Sequence, residues 1–245
     1  MKKQTTLLLA LLLALSLTAC NSNNETTVSS SGTLQNRQSA ISESVVSGEV
    51  SSSEEESAPS RESEQQSRVL VAYFSWADNA VIEGEVDAVA SPSVVAPGNV
   101  QQLAGWVQEQ TGGDLFSIQV TEPYPSDWDE CLARANEERS ENARPALTET
   151  VEAMSDYDVV FLGYPNWWYG SPMALLSFIE QNDLSGKQIY LFCSHGTGGL
   201  AKSVDEIASA LPESAVLSEN VFDVYEEDAA SSENDILNWL KGVGY

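Results

Sequence analysis

Three stretches of this chain carry residue types suited to holding a ligand. The first is split between Ser75-Trp76 and, further on, Gly98-Asn99-Val100. A helix opening at Asn99 would offer unpaired backbone N–H groups and the positive end of its dipole, and Ser75 would add a hydroxyl. That set suits a phosphate held without any Lys or Arg near in sequence. The plainer reading makes Asn99 a helix N-cap after a Gly98 turn. The second stretch is Pro165-Asn166-Trp167-Trp168-Tyr169-Gly170. With Tyr164 before it, four aromatic rings fall within six residues, and flat rings stack on flat ligands. At least one of these Trp side chains also suits a core plug. The third stretch runs from Ser194-His195 through Gly196, Gly198 and Gly199. Glycines let main chain approach a ligand edge closely, so that N–H and C=O read its heteroatoms; the plainer reading is a flexible connection. His195 is the chain's one imidazole, able to donate a hydrogen bond or a proton, or simply a loop residue bonded to backbone. A phosphate cradle, an aromatic wall and a glycine-rich edge together fit a planar ring joined to a phosphate, which is FMN.

Those stretches need elements that bring them to one place. Three nearly continuous apolar runs, Val69–Phe74, Asp158–Gly163 and Gln188–Cys193, read as strands covered on both faces. Phe116–Val120 and Ala215–Val221 are weaker strands. Between them, helical spacing recurs at Val100, Leu103, Ala104 and Val107, and at Trp128, Cys131, Leu132 and Ala135. It recurs again at Val204, Ile207, Ala208 and Leu211, preceded by Ser203 with Glu206 three residues on, a capping-box pattern. Pro172 opens a helix that turns Leu175, Phe178 and Ile179 inward, and Ile236, Leu237 and Leu240 mark a last one. The alternation β-α-β-α-β-α-β-α-β-α calls for a parallel sheet with helices on both faces. In such sheets ligands bind beyond the carboxyl ends of the strands, where all three stretches fall.

Composition narrows the partners. The 245 residues hold 11 Lys and Arg against 37 Asp and Glu, a formal charge of −26. That charge excludes a basic footprint for nucleic acid and disfavours docking on anionic lipid. One His and three Cys are too few for a Cys/His zinc site or a disulfide scaffold, so no metal is expected. Cys131 and Cys193 read as inert core thiols. No Ser/His/Asp triad or paired carboxylates are evident.

The first residues read as an address. Lys2 and Lys3 precede an apolar run from Leu7 to Leu17, too short to span a bilayer, and Leu17-Thr18-Ala19-Cys20 follows. This resembles a bacterial lipobox; the plainer readings are an ordinary signal peptide or an uncleaved anchor. The lipobox implies a lipid-modified Cys20, a membrane-anchored chain and an extracytoplasmic location. Residues 21–67 contain 15 Ser and no Trp, Tyr or Phe, which predicts a disordered Ser/Glu-rich tether. The folded domain is expected over 68–245.

Across that domain the sequence resembles the flavodoxin family, most closely a flavodoxin-like bacterial subgroup. The matching words are Val71-Ala-Tyr-Phe-Ser75, Gly98-Asn99, Thr111-Gly-Gly-Asp-Leu-Phe116, Glu122-Pro-Tyr-Pro125, Asn142-Ala-Arg-Pro145, Gly163-Tyr-Pro-Asn-Trp-Trp168, Pro172-Met173, Leu184-Ser-Gly-Lys187, and His195-Gly196 with Gly199. The resemblance implies an α/β/α sandwich with a five-stranded parallel sheet in 2-1-3-4-5 order and noncovalent FMN at the strand ends. It places Ser75, Trp76, Gly98, Asn99 and Val100 around the phosphate, Pro165 to Gly170 along one wall of the ring, and Ser194 to Gly199 at the other edge. Three features depart from the family pattern: a long acidic insertion separates Ser75 from Asn99, Val100 stands where Thr is common, and Tyr169 stands where a small residue is common. A rival phosphate loop, Ser75 to Asn79, would turn the Asp78 carboxylate on the phosphate and is disfavoured. Arg144 is expected to pair with a carboxylate of the preceding helix.

The functional expectation is an FMN protein, tethered outside the cytoplasm, that shuttles electrons to a redox partner or reduces small oxidants such as quinones. The strongly acidic domain would disfavour an anionic reduced flavin and lower its potential. The alternative is a flavodoxin-like domain that has lost FMN and serves as a surface binding module.

Overall fold

A computed structural model describes residues 68–82, 84–86 and 90–245. The expected leader 1–20 with Cys20, and the expected tether 21–67, lie outside the described residues. In chain order the elements are β1 (Val69–Tyr73), α1 (Trp76–Asn79), β2 (Ala80–Val81), α2 (Ser91–Val94), α3 (Asn99–Thr111), β3 (Asp114–Ser117), β4 (Tyr124–Pro125), α4 (Trp128–Ser140), β5 (Val159–Pro165), α5 (Met173–Gln181), β6 (Gln188–His195), α6 (Ser203–Ala210), β7 (Val216–Leu217), β8 (Phe222–Tyr225) and α7 (Glu233–Gly242).

The apolar runs are continuous because both sheet faces are covered. Leu70, Ala72 and Phe74 of the first run, with Val160 and Leu162 of β5 and Leu191 of β6, pack toward α4, α5 and α6. Val69, Val71 and Tyr73, with Phe161 and Phe192, pack toward α3 and α7. A strand buried on both sides has no face to leave polar, so period-2 alternation disappears. The main sheet is parallel, in the order β3-β1-β5-β6-β7, with β8 also on β6. β7 meets Gln188 and Ile189, whereas β8 meets Phe192 to His195. The two short pieces are thus one interrupted outer strand, and the 2-1-3-4-5 order of the α/β/α sandwich holds.

Several boundaries differ from expectation. The outer strand is not continuous over Ala215–Val221: the Ser218 hydroxyl takes the Asn220 N–H at 3.2 Å and the Asn220 carbonyl accepts from the Trp239 indole at 3.2 Å. These local bonds compete with the ladder. The second sheet strand begins at Asp114 rather than Phe116 and stops before Val120, whose N–H is captured by the Asn79 side chain at 2.8 Å. Ser203 and Glu206 form no capping box. Lys202 holds the N-cap position with no side-chain cap, and Ser203, fully buried, bonds the Tyr164 hydroxyl at 2.9 Å and the Leu200 carbonyl at 2.6 Å. Ala208 is exposed. Arg144 reaches forward to Glu180 of α5 at 2.7 Å, not back to the preceding helix. α4 starts as capping rules favour: Asp127 accepts from the Glu130 N–H at 3.0 Å, and Asp129 and Glu130 face the positive dipole end.

Candidate functional site

β1 ends by delivering Ser75 into the sheet's carboxyl edge. The Ser75 side chain is buried, its residue 1% exposed, and among the described residues its Oγ has no hydrogen-bond partner. A buried hydroxyl left alone costs about 1–3 kcal/mol, so this atom is suited to a ligand. Gly98 lies against it: a Cβ there would sit 3.1 Å from Ser75 Oγ, 2.8 Å from the Ala77 Cβ and 2.6 Å from the Ser93 carbonyl. Gly98 is the N-cap of α3 in extended backbone, φ −69° and ψ 161°, so Asn99 is the first helical residue and not the cap. The buried Asn99 side chain donates to the Glu226 carbonyl at 3.0 Å. Val100 turns its side chain into the core beneath α3. Ser75 and Gly98, separated in sequence by the insertion, lie side by side in the fold, and Trp76, Ala90 and Val94 of the insertion are buried in the core. Asp78 of the rival loop is occupied by the Ser117 hydroxyl at 2.7 Å.

The aromatic stretch splits into core and wall. Trp167 is a plug, edge-on to Phe74 at 5.2 Å, Tyr124 at 5.1 Å and Trp76 at 6.0 Å. Trp76 belongs to the same cluster and donates its indole N–H to the Pro125 carbonyl at 2.9 Å, so its side-chain donor is already engaged. Trp167 and Gly170 exchange backbone bonds of 2.9 and 3.0 Å, while Trp168 and Tyr169 take φ of 47° and 66°. Positive φ at both central positions is the signature of a type I′ turn, normally filled by Asn and Gly. Two bulky residues in the left-handed region cost about 1 kcal/mol or more each. The turn projects Trp168 toward Trp128, with centroids 6.0 Å apart, and leaves Tyr169 63% exposed. The Tyr169 ring lies over Gly198, where a Cβ would come within 2.9 Å of it.

The third stretch closes the opposite edge. His195 directs its two ring nitrogens at the Gly196 carbonyl, 2.8 Å away, and the Asp223 carboxylate, 2.9 Å away. Both nitrogens are thus already engaged, as in the loop-residue reading. The Asn166 amide donates to the Gly199 carbonyl, and among the described residues its buried Oδ1 has no partner. These loops enclose a cavity of about 290 Å³, lined by Trp76, Pro165 to Tyr169 and Ser194 to Gly198 among the expected residues. Ser75, Gly98 and Asn99 form a corner joined to it through Ser93 and Glu226. Gly170 and Gly199 do not line it.

Sequence reasoning missed five residues. Ser93, Trp128 and Glu226 also line the cavity. Arg139 and Glu206 hold its wall from behind. The Arg139 fork meets Glu206 at 2.5 Å and the Ser171 carbonyl at 2.9 Å, and Glu206 accepts from the Ser171 N–H at 2.9 Å and hydroxyl at 3.1 Å. The guanidinium presses on Gly170, leaving no room for a Cβ. Lys202 N–H adds a bond to the Tyr169 carbonyl at 3.2 Å. Burial would raise the Glu206 pKa, but the Arg139 and Ser171 donors outweigh it and hold the carboxyl below its usual range. Among the described residues the two thiols are buried, which pushes Cys131 up to about 12 and raises Cys193 as well.

The flavodoxin family model matches residues 68–243. Among solved structures, a Bacteroides eggerthii protein assigned as a flavoprotein is 27% identical with a TM-score of 0.55, over 73% of this chain and 99% of its own. A Bacteroides uniformis protein with the same assignment is 23% identical with a TM-score of 0.54, over 71% of this chain and 98% of its own, and speaks for the fold. No curated protein matches the chain. With the sheet order, the cradle at Ser75 and Gly98, and a family match over residues 68–243, the chain belongs to the flavodoxin family.

Proposed function

We propose that this flavodoxin-family chain binds FMN noncovalently and carries electrons, either to a protein partner or to small oxidants such as quinones. The observation that carries this reading is the orphaned Ser75 hydroxyl beside the space kept by Gly98, at the N-terminus of α3 and next to an aromatic cavity. The assignment of the Bacteroides eggerthii relative as a flavoprotein supports it. The residues present fit the cofactor. Ser75 and the first N–H groups of α3 would hold the phosphate, Trp168 and Tyr169 would flank the ring, and the Asn166 Oδ1 would accept from a ring N–H. His195, tied to Asp223 and Gly196, shapes the edge. When bound, FMN supplies one- and two-electron redox chemistry, and the protein supplies binding, orientation and electrostatics.

Adding FMN to the purified protein should quench flavin fluorescence with Kd below about 1 μM. A protein that leaves FMN fluorescence unchanged would reject the reading. It would favour the second one, a surface binding module without cofactor, for which the Tyr169 ring across Gly198 at the cavity mouth is the supporting observation. Mixing the loaded protein with NADH or NADPH separates enzyme from carrier: rapid flavin bleaching marks a reductase, slow or absent bleaching a carrier.

We also propose that Cys20 is lipid-modified and tethers the domain on the outer side of the membrane through residues 21–67. The lipobox-like sequence supports this; among the described residues no helix is long and apolar enough to cross a membrane. Expressed in a bacterium, the chain should partition with membranes and into detergent, and Cys20→Ser should release it to the aqueous phase. Equal partitioning of both would end this proposal.

A further inference from the structure

Glu226 stands between the two halves of the site and has no assigned role. Its N–H donates to the His195 carbonyl at 2.8 Å, on the ring-edge side. Its own carbonyl accepts from Asn99, the first residue of the phosphate helix, at 3.0 Å. The main chain is thereby pinned to both ends of the site at once. Its side chain lines the cavity, with Oε1 3.3 Å from where a Cβ on Gly196 would lie, so the carboxylate rests against the glycine-rich edge.

Among the described residues this carboxylate has neither a hydrogen bond nor an ion pair. The charged groups that act on it are Glu227, which repels it, and His195, which attracts it; burial and Glu227 together raise its pKa. An ionised carboxylate is an acceptor only, and a half-buried one without donors is costly. The missing complement is a set of donors supplied by an occupant of the cavity. A phosphate is excluded there by like charge, and the ring edge already has the orphaned Asn166 Oδ1. What remains is the stretch between ring and phosphate.

We propose that the Glu226 carboxylate is the acceptor for hydroxyl groups of a polyol chain that links the phosphate corner to the ring cavity. The inference rests on the FMN reading and adds to it a residue that selects the ribityl chain. It makes the site one for a polyol-bearing flavin rather than for any flat aromatic ring.

The test titrates three flavins against the wild-type protein, Glu226→Ala and Glu226→Gln, with fluorescence quenching as readout and a thermal melt as folding control. FMN carries polyol and phosphate, riboflavin polyol alone, and lumiflavin neither. Glu226→Ala should weaken FMN and riboflavin alike, on the order of 10-fold or more, and leave lumiflavin unchanged. Glu226→Gln should lose less, because its amide oxygen still accepts. An equal loss for lumiflavin would mean general damage to the cavity and would overturn the proposal. So would unchanged riboflavin binding, or tighter FMN binding in Glu226→Ala, which would mark the carboxylate as mere repulsion. A wild-type protein that binds no flavin fails the FMN reading and this inference together; FMN binding indifferent to Glu226 fails this inference alone.

Discussion

Gly98→Ala is expected to weaken FMN binding about 100-fold while leaving riboflavin binding nearly unchanged. The added Cβ would lie 2.6 Å from the Ser93 carbonyl and 2.8 Å from the Ala77 Cβ. Neither is the mobile end of a side chain, so backbone must move. Gly98 sits at φ −69°, which alanine adopts freely, so the effect is steric and not conformational. Relief comes by pushing the insertion or the start of α3 away from Ser75, and both movements open the cradle. Overpacking of this kind costs about 1–3 kcal/mol of stability. Loss of one or two hydrogen bonds to a charged phosphate, about 1.5–3 kcal/mol each, accounts for the loss of affinity. Ser75→Ala provides the complementary case. Without ligand it should be neutral or slightly stabilising, because an unpaired buried hydroxyl is removed, yet FMN should bind more weakly. Fluorescence titration with both flavins and thermal melts of both variants measure this. Equal FMN affinity in wild type and Gly98→Ala would remove Ser75 and Gly98 from the site.

Arg139→Ala should destabilise the domain by about 2–3 kcal/mol at neutral pH, and that penalty should shrink on acidification. The guanidinium is the only cation paired with Glu206 among the described residues, at 2.5 Å. In the wild type the folded pKa of Glu206 is depressed. Its contribution to stability is therefore fully present above the ordinary glutamate range, near about 4.3. It is lost as pH falls through the lower folded value. Without Arg139, desolvation acts with far less opposition, the folded pKa rises, and the ionised carboxylate becomes a cost that protonation relieves. Urea unfolding of both proteins at neutral and at acid pH gives the two differences directly. A penalty independent of pH would show that Arg139 acts through packing alone. The same variant frees the Ser171 carbonyl and the back of Gly170, so the turn holding Trp168 and Tyr169 should loosen. The near-ultraviolet circular dichroism of the tryptophan cluster should weaken with it.

Much of the scaffold is legible in the sequence alone. Val69–Phe74, Asp158–Gly163 and Gln188–Cys193 read as strands with both faces covered, because after the polar residues that open the second and third runs apolar side chains follow one another without period-2 alternation. The helical spacing at Val100–Val107 and at Ile236–Leu240 likewise required burial of one face. A parallel sheet then puts Ser75, Pro165 and Ser194 at one edge whatever the details of packing. Beyond that edge lie the glycines and aromatics whose local chemistry underlies the proposal of a flat, phosphate-bearing ligand.

Other features depend on groups far apart in the chain. Arg139 and Glu206 are separated by 67 positions, and nothing local distinguishes them from surface charges. Glu206 therefore read as half of a capping box, until the Ser171 N–H and the Arg139 fork claimed its carboxylate. The type I′ turn at Trp168 and Tyr169 has no Gly or Asn at its centre, so local propensity argues against it; contacts from Arg139, Lys202 and Gly198 hold it there. Glu226 became part of the site only because β8 pairs with β6 and brings it beside His195 and Asn99. Burial and periodicity are written along the chain, since each residue's polarity is its own. The partner of a charge, and the direction in which a loop side chain points, are set by the net balance of many long-range contacts, and that balance exists only once the sheet has closed.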